Sequence, residues 1–304
     1  MSRENITNVA ASVRQKLLNM ARGDRRPFNE LLQYYAMERF LYRLSCSEYA
    51  DLFILKGAMM LRIWHSDEYR PTMDIDMLGR TSNDPDAIEQ QIRQIINIAV
   101  QPDGLLFQPD TISCESITED ADYKGVRVRF QGTLDSARIG MQLDIGFGDT
   151  VYPAPETHTL PTFLDQPAPK LLCYSRESAI AEKFEAMLSL RELNSRMKDF
   201  YDIWQLSRQA DFDGVRLSQA IKETLIRRKT GVDLDFLSFS ESFSKHRQPQ
   251  WKAFVNRIKQ EHVPTQFSEV LVQIRAFLLP IAEARVSNRE FAGRWIAPGP
   301  WTEE

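Results

Sequence analysis

Asp74 and Asp76 flank a single residue in Arg70-Pro71-Thr72-Met73-Asp74-Ile75-Asp76-Met77-Leu78. Read as a strand, this stretch sets residues two apart on the same side. The two carboxylates then share one face, with Ile75 and Met77 on the other. Carboxylates held side by side repel unless a cation lies between them. An all-oxygen ligand set suits Mg²⁺, commonly held by one or two carboxylates together with substrate phosphates. Just upstream lies Leu55-Lys56-Gly57-Ala58-Met59-Met60-Leu61-Arg62-Ile63-Trp64. The run from Asp51 to Leu55 reads as a strand, and the apolar residues after Gly57 read as a helix. Gly57 permits a tight turn and close backbone approach to a ligand. Amides at the start of the helix can hold a phosphate. Each motif by itself also occurs as a solvated turn. Their order joins them into one candidate site, equipped for phosphoryl or nucleotidyl transfer.

A third carboxylate comes from further along. Val126-Arg127-Val128-Arg129-Phe130 alternates strictly, residues 131–137 read as a turn, and the run from Arg138 to Asp149 alternates again. This pattern predicts an antiparallel hairpin. On its second strand Met141, Leu143 and Ile145 face one way, and Gln142, Asp144 and Gly146 the other. Asp144 is therefore a candidate third acid, or else an exposed strand acid before a turn. Asp149, at that turn, reads as a loop cap.

Helices must position these strands. Apolar spacing predicts a helix from Ile6 to Arg22, carrying Val9, Val13, Leu17 and Met20. Pro27 opens a second, through Ser45, with Leu31, Leu32, Tyr35, Phe40 and Leu44 on its buried face. Asn83-Asp84-Pro85-Asp86 starts a third, containing Ile88, Ile92, Ile95, Ile96 and Val100. Pro153, Pro155, Pro161, Pro167 and Pro169 mark a linker, which divides the chain into residues 1–160 and 161–304. Beyond it helices are expected over Glu177–Leu193, Lys198–Arg208, Leu217–Arg228, Leu234–Phe243, Gln250–Ile258 and Ser268–Arg285. The tail from Trp295 to Trp301 is rich in Pro and Gly and reads as an irregular arm. The expected class is α+β: a mixed or antiparallel sheet with helices, followed by a mostly helical domain.

The helical half holds its own candidates. Lys183 lies mid-helix among Ala179, Ala186 and Met187. It can snorkel to solvent or place a point charge over a triphosphate. Asp199 and Asp202, three apart, share one side of a helix start. They complement the helix dipole, or one of them fixes Lys183 or Lys198. Lys222, Arg227, Arg228 and Lys229 can meet nucleic-acid phosphates or form a solvated helix end.

Composition bounds the rest. With 304 residues, 43% hydrophobic and 26% charged, the chain has the make-up of an ordinary globular protein of one or two domains. No run approaches the ~18 apolar residues of a membrane span, and Met1-Ser2-Arg3-Glu4-Asn5 lacks signal-peptide character. Cys46, Cys114 and Cys173 have no metal-ligand spacing and fit reduced thiols in the cytoplasm. Four scattered histidines argue against zinc. A net charge of −4 argues against a protein that coats DNA and leaves room for a local basic patch.

Taken together, these pieces resemble the AbiEii/AbiGii-type nucleotidyltransferase toxins of bacterial abortive-infection and toxin–antitoxin systems, within the DNA polymerase beta-like nucleotidyltransferases. The resemblance is carried by Leu55-Lys56-Gly57-Ala58, Arg70–Asp76, Ala181–Met187, Ser195–Trp204 and the strand Leu143–Asp149. It spans about residues 30–260. It implies that residues 1–160 form the nucleotidyltransferase-like domain and that the helical domain contributes to the active site. Lys56, Gly57 and Ala58 would lie in the nucleotide-phosphate loop, and Asp74, Asp76 and Asp144 would be the metal-binding acids. Lys183 would be the essential lysine, which also meets nucleotide, and Asp199 or Asp202 the late aspartate. The family often has Gly or Ser where this chain has Ala58, so no hydroxyl reaches a phosphate there. The implied reaction is Mg²⁺-dependent transfer of NMP from an NTP to an acceptor hydroxyl. The first expectation for the acceptor is RNA at the tRNA 3′ end, met by a basic face with Arg191, Arg196, Lys198, Arg227 and Arg228. A cognate antitoxin encoded nearby is implied by the family. The alternatives are nucleotidylation of a protein or small molecule, and a non-catalytic nucleotide-binding partner on a decayed transferase fold.

Overall fold

The structure, a computed structural model, describes residues 8–64, 70–120, 123–237 and 239–302. The chain divides into two units, residues 1–148 with 156–173, and residues 149–155 with 174–304. The first unit comprises α1 (Val9–Gly23), α2 (Phe28–Ser45), β1 (Phe53–Lys56), α3 (Met60–Ile63), β2 (Ile75–Gly79), α4 (Pro85–Ile96), β3 (Leu105–Asp120), β4 (Tyr123–Leu134), β5 (Ala137–Phe147), β6 (Glu156–Thr159) and β7 (Lys170–Cys173).

Its strands form one seven-stranded mixed sheet in the order β3-β4-β5-β2-β1-β7-β6. β1 runs antiparallel to β2, and β2 runs parallel to β5. The predicted hairpin is present as β4 and β5; β4 runs further at both ends than the alternation suggested, whereas β5 begins one residue earlier and stops at Phe147, before Asp149. Leu134 pairs with Ala137 across a two-residue turn, and Asp135 takes the left-handed conformation there (φ 53°), which Asp tolerates at hairpin turns. Inward-facing Val126, Val128, Phe130, Met141, Leu143 and Ile145 share one core with Leu32, Phe40 and Leu44 of α2 and Ile88, Ile92 and Ile95 of α4. The acid-bearing edge of each strand is thus placed by its apolar partners on the opposite face. The helix expected from Ile6 begins at Val9, with Asn8 capping it through a side-chain bond from the Ala11 amide. Ile6 lies outside the described residues.

Two parts of this unit depart from expectation. β3 has no announcing pattern because it is an edge strand, and its pairing with β4 shifts register between Gln108 and Ser113, around Pro109. Edges and bulges are where a strand tolerates proline. The proline-rich stretch is not a free linker. β7 pairs parallel with β1, and β6 pairs with β7. A buried pair on α2 holds the loop between them. Glu38 accepts from the Phe163 amide at 2.9 Å, and Arg39 donates to the Pro167 carbonyl at 2.8 Å. Arg62 donates to the Pro161 carbonyl at 3.0 Å and covers the Phe163 ring.

The second unit contains α5 (Arg176–Leu190), α6 (Met197–Gln209), β8 (Phe212–Asp213), α7 (Gly214–Arg228), α8 (Leu234–Leu237), α9 (Glu241–Ile258), α10 (Phe267–Val286), β9 (Arg294–Trp295) and β10 (Trp301–Thr302). Phe200, Phe243, Trp251 and Phe267 pack in tilted and edge-to-face contacts where α6, α9 and α10 meet. α9 continues through Pro249, within the gap expected between the helices ending at Phe243 and starting at Gln250. The helix expected over Leu234–Phe243 is divided between α8 and the start of α9, and Ser238 lies outside the described residues. The tail is also more ordered than an arm. β8, β9 and β10 make a small sheet, and the Trp295 indole donates to the Ser207 carbonyl at 2.6 Å. Its ring occupies the space a side chain at Gly299 would need. Among the described residues no helix is long and apolar enough to cross a membrane.

Candidate active site

Asp76 lies on β2 between two neighbours in register, Lys56 on β1 and Asp144 on β5. The parallel pairing therefore sets two carboxylates side by side on adjacent strands. Asp74 stands just before β2 rather than within it, so the shared strand face read from the sequence does not describe it. Local hydrogen bonds bring it to the site instead. The Thr72 hydroxyl donates to the Asp74 carboxylate, and the Thr72 amide donates to the Tyr34 hydroxyl at 3.0 Å. Gln33 donates to the carbonyls of Met73 (3.1 Å) and Gly140 (2.9 Å), pinning this segment to β5. The result is that Asp74, Asp76 and Asp144 each offer an oxygen within 4.8 Å of the others. Three hard oxygen donors at that spacing fit a small divalent cation such as Mg²⁺.

Gly57 is dictated twice over. Its φ is +71°, and a Cβ there would lie 1.9 Å from Asp76 Oδ2. The Asp76 carboxylate thus rests directly on the Gly57 backbone. Gly57→Ala is expected to reduce any activity that depends on Asp76 by about 100-fold, the scale on which small misplacements of a reacting group act. Steady-state kinetics of the purified variant checks this, and an unchanged rate would show that Asp76 can be displaced without cost. The element after Gly57 is shorter than the sequence suggested: a 3₁₀ turn over Gly57–Met59, then the four residues of α3. Lys56 and Ala58 are both buried, at 7% and 4% exposure.

Arg127 on β4 completes the carboxylate cluster, and the sequence reading passed it over. It faces Asp144 in the β4–β5 register. Its Nε donates to Oδ1 and its Nη2 to Oδ2, both at 2.7 Å. These bonds raise the arginine's pKa further, so it stays charged. The usable signal was parity. Arg127 and Asp144 both occupy outward positions of alternating strands, and the two-residue turn sets them opposite each other.

In the helical unit, Lys183 on α5 sits between two acids of α6. Its Nζ lies 2.8 Å from Asp202 and 3.2 Å from Asp199. Both carboxylates are buried, and the Arg196 guanidinium approaches Asp199 at 2.7 Å. Arg191 pairs with Asp233 at 3.3 Å and stays largely exposed, as do Lys198 and Arg227. Arg228 differs from the expected surface cation. It pairs with Asp149 at 3.0 Å and Glu185 at 2.8 Å, with a side chain only 11% exposed. Burial works against its charge, but the surrounding carboxylates outweigh it and raise its pKa. Asp149, in the loop after β5, is a partner of Arg228 with a side chain only 5% exposed.

The sequence profile of the AbiEii family, described as nucleotidyl transferase AbiEii toxin of a type IV toxin–antitoxin system, matches residues 39–273. No curated protein matches the chain. Two solved structures from Helicobacter pylori are similar to this chain. One is of a protein assigned as a nucleotidyltransferase, with 15% identity, a TM-score of 0.44, and coverage of 86% of this chain and 98% of that one. The other is JHP933, with 14% identity, a TM-score of 0.43, and coverage of 85% and 94%.

Proposed function

This chain belongs to the AbiEii family of nucleotidyl transferase toxins of type IV toxin–antitoxin systems, and from that premise we propose that it transfers NMP from an NTP to a hydroxyl of RNA, the tRNA 3′ end foremost. The observation that carries the reading is the convergence of Asp74, Asp76 and Asp144 within 4.8 Å, beside a glycine that leaves room for nothing but the Asp76 carboxylate.

In this reading Asp74, Asp76 and Asp144 hold Mg²⁺, which on binding stabilises negative charge on the phosphates. Gly57 and Ala58 present backbone to the nucleotide, and Lys56 adds positive charge near Asp76. Asp144 accepts a hydrogen bond from the attacking hydroxyl and draws its proton away. The new bond joins the acceptor oxygen to the α-phosphorus, the α–β bridging bond breaks, and pyrophosphate leaves. Lys183 is required for the reaction, with Asp199 and Asp202 holding its ammonium group in place. Arg191, Arg196, Lys198 and Arg227 offer exposed positive charge to RNA, whereas Arg228 is committed to its interior partners. In the cell the activity serves as a toxin in phage defence, opposed by an antitoxin encoded beside it, and it acts in the cytoplasm.

The test is transfer of label from each of the four α-³²P-labelled NTPs onto total RNA and onto protein, with Mg²⁺ and after chelation. The expected result is label in small RNA with one or two NTPs, lost on chelation. Label migrating with protein would move the acceptor to a protein hydroxyl. No label from any NTP in any fraction would overturn the transferase reading.

A further inference from the structure

The Arg127 guanidinium and the Asp144 carboxylate meet through two parallel hydrogen bonds, each of 2.7 Å. This is the two-point geometry in which arginine fixes a carboxylate plane as well as its position. The contact is not a surface accident. The Arg127 side chain is 30% exposed and that of Asp144 10%. Cross-strand register places the two residues directly opposite each other, with Glu115 on the far side of Arg127. Arg129 engages Glu115 at 2.5 Å, so the neighbouring acid has its own cation and Arg127 is left to Asp144. Gln142 donates a longer bond of 3.4 Å to the same Oδ2.

Resting on the transferase reading, we propose that Arg127 is a positioning residue for the third metal-site carboxylate. Three carboxylates within 4.8 Å repel one another when no cation is bound. Arg127 offsets part of that charge and locks Asp144 in the orientation that faces Asp74 and Asp76. Oδ1 of Asp144, which accepts from Arg127 Nε, keeps a second lone pair for a metal or an acceptor hydroxyl, whereas Oδ2 accepts from both Arg127 and Gln142. The fixed positive charge also competes with a divalent cation for the same acids. Rate and metal affinity are therefore set against each other: the clamp speeds the reaction by orienting Asp144 and weakens cation binding.

That opposition separates the role from simple support of the sheet. The experiment combines Mn²⁺ titration of nucleotide-free protein, read by electron paramagnetic resonance, with thermal unfolding with and without Mn²⁺, and the label-transfer rate. It compares wild type, Arg127→Ala and Arg127→Lys. Arg127→Ala is expected to bind Mn²⁺ at least about threefold more tightly, because a like charge next to the site is gone. It is also expected to gain more thermal stability from Mn²⁺ than wild type does, and to transfer label at least about tenfold more slowly. Arg127→Lys keeps the charge but loses the two-point fork, so it should retain near wild-type Mn²⁺ affinity and an intermediate rate. Unchanged affinity and rate in Arg127→Ala would overturn the proposal. So would parallel weakening of both in the two variants, with a lowered unfolding midpoint that Mn²⁺ does not restore. If wild type transfers no label, that result counts against the transferase reading alone, and the Mn²⁺ comparison still decides the role of Arg127.

Discussion

Asp76→Ala is expected to lose transfer activity by about 1,000-fold or more, the factor that follows when several kcal/mol of transition-state charge stabilisation is removed. Three observations single out Asp76. It sits between Asp144 on β5 and Lys56 on β1 in the sheet register. Its carboxylate presses onto Gly57, at the only kind of residue that leaves it room. It also belongs to the trio of acids whose oxygens lie within 4.8 Å. Removing it takes away one of three mutually repelling charges, so the unfolding midpoint should stay close to that of wild type. A rate within tenfold of wild type would mean that the chemistry does not run through this carboxylate. A large fall in the midpoint would mean that the residue is structural.

Lys183→Ala is expected to have its largest effect on folding. Lys183 is 16% exposed in its side chain, and it holds two acids that are 1% and 3% exposed. Removing one member of a buried charge cluster leaves the rest without compensation, which costs on the order of 3 kcal/mol. Arg196 still reaches Asp199, which keeps the loss toward the lower end of that scale. Urea denaturation measures it. A double variant, Lys183→Met with Asp202→Leu, exchanges charges for apolar groups of similar size and should recover most of the lost stability. It should not recover transfer if Lys183 serves the reaction. Recovery of both would reduce Lys183 to a structural cation.

Local chemistry was the legible part of the sequence. The helices α1, α2 and α4, the β4–β5 pair and the unpaired thiols followed from spacing, caps and composition. Asp74, Asp76 and Asp144 could be picked out because acids stand out in otherwise apolar or alternating strands. What stayed hidden depended on partners far along the chain. β7 is four residues long and reads as part of a proline-rich linker until β1 supplies its ladder. β3 is an edge strand interrupted at a bulge, so alternation fades where it matters. The gap expected between Phe243 and Gln250 is helical, because aromatic packing of Phe243 and Trp251 holds both ends in one helix, α9. Arg228 sits in a basic run that reads as surface, but its pairing with Asp149 and Glu185 turns it inward. Arg127 is the instructive omission. An arginine in an alternating strand reads as solvent-facing until register places a carboxylate opposite.

In the proposed reaction Asp74, Asp76 and Asp144 together hold a divalent cation used in nucleotidyl transfer. Anomalous diffraction from crystals of the wild-type protein and of Asp76→Ala, grown with Mn²⁺, tests it most directly. The expected result is a manganese peak in coordination with all three carboxylates in wild type and none at that position in Asp76→Ala. A wild-type peak elsewhere, or no peak from a protein that transfers label, would contradict it.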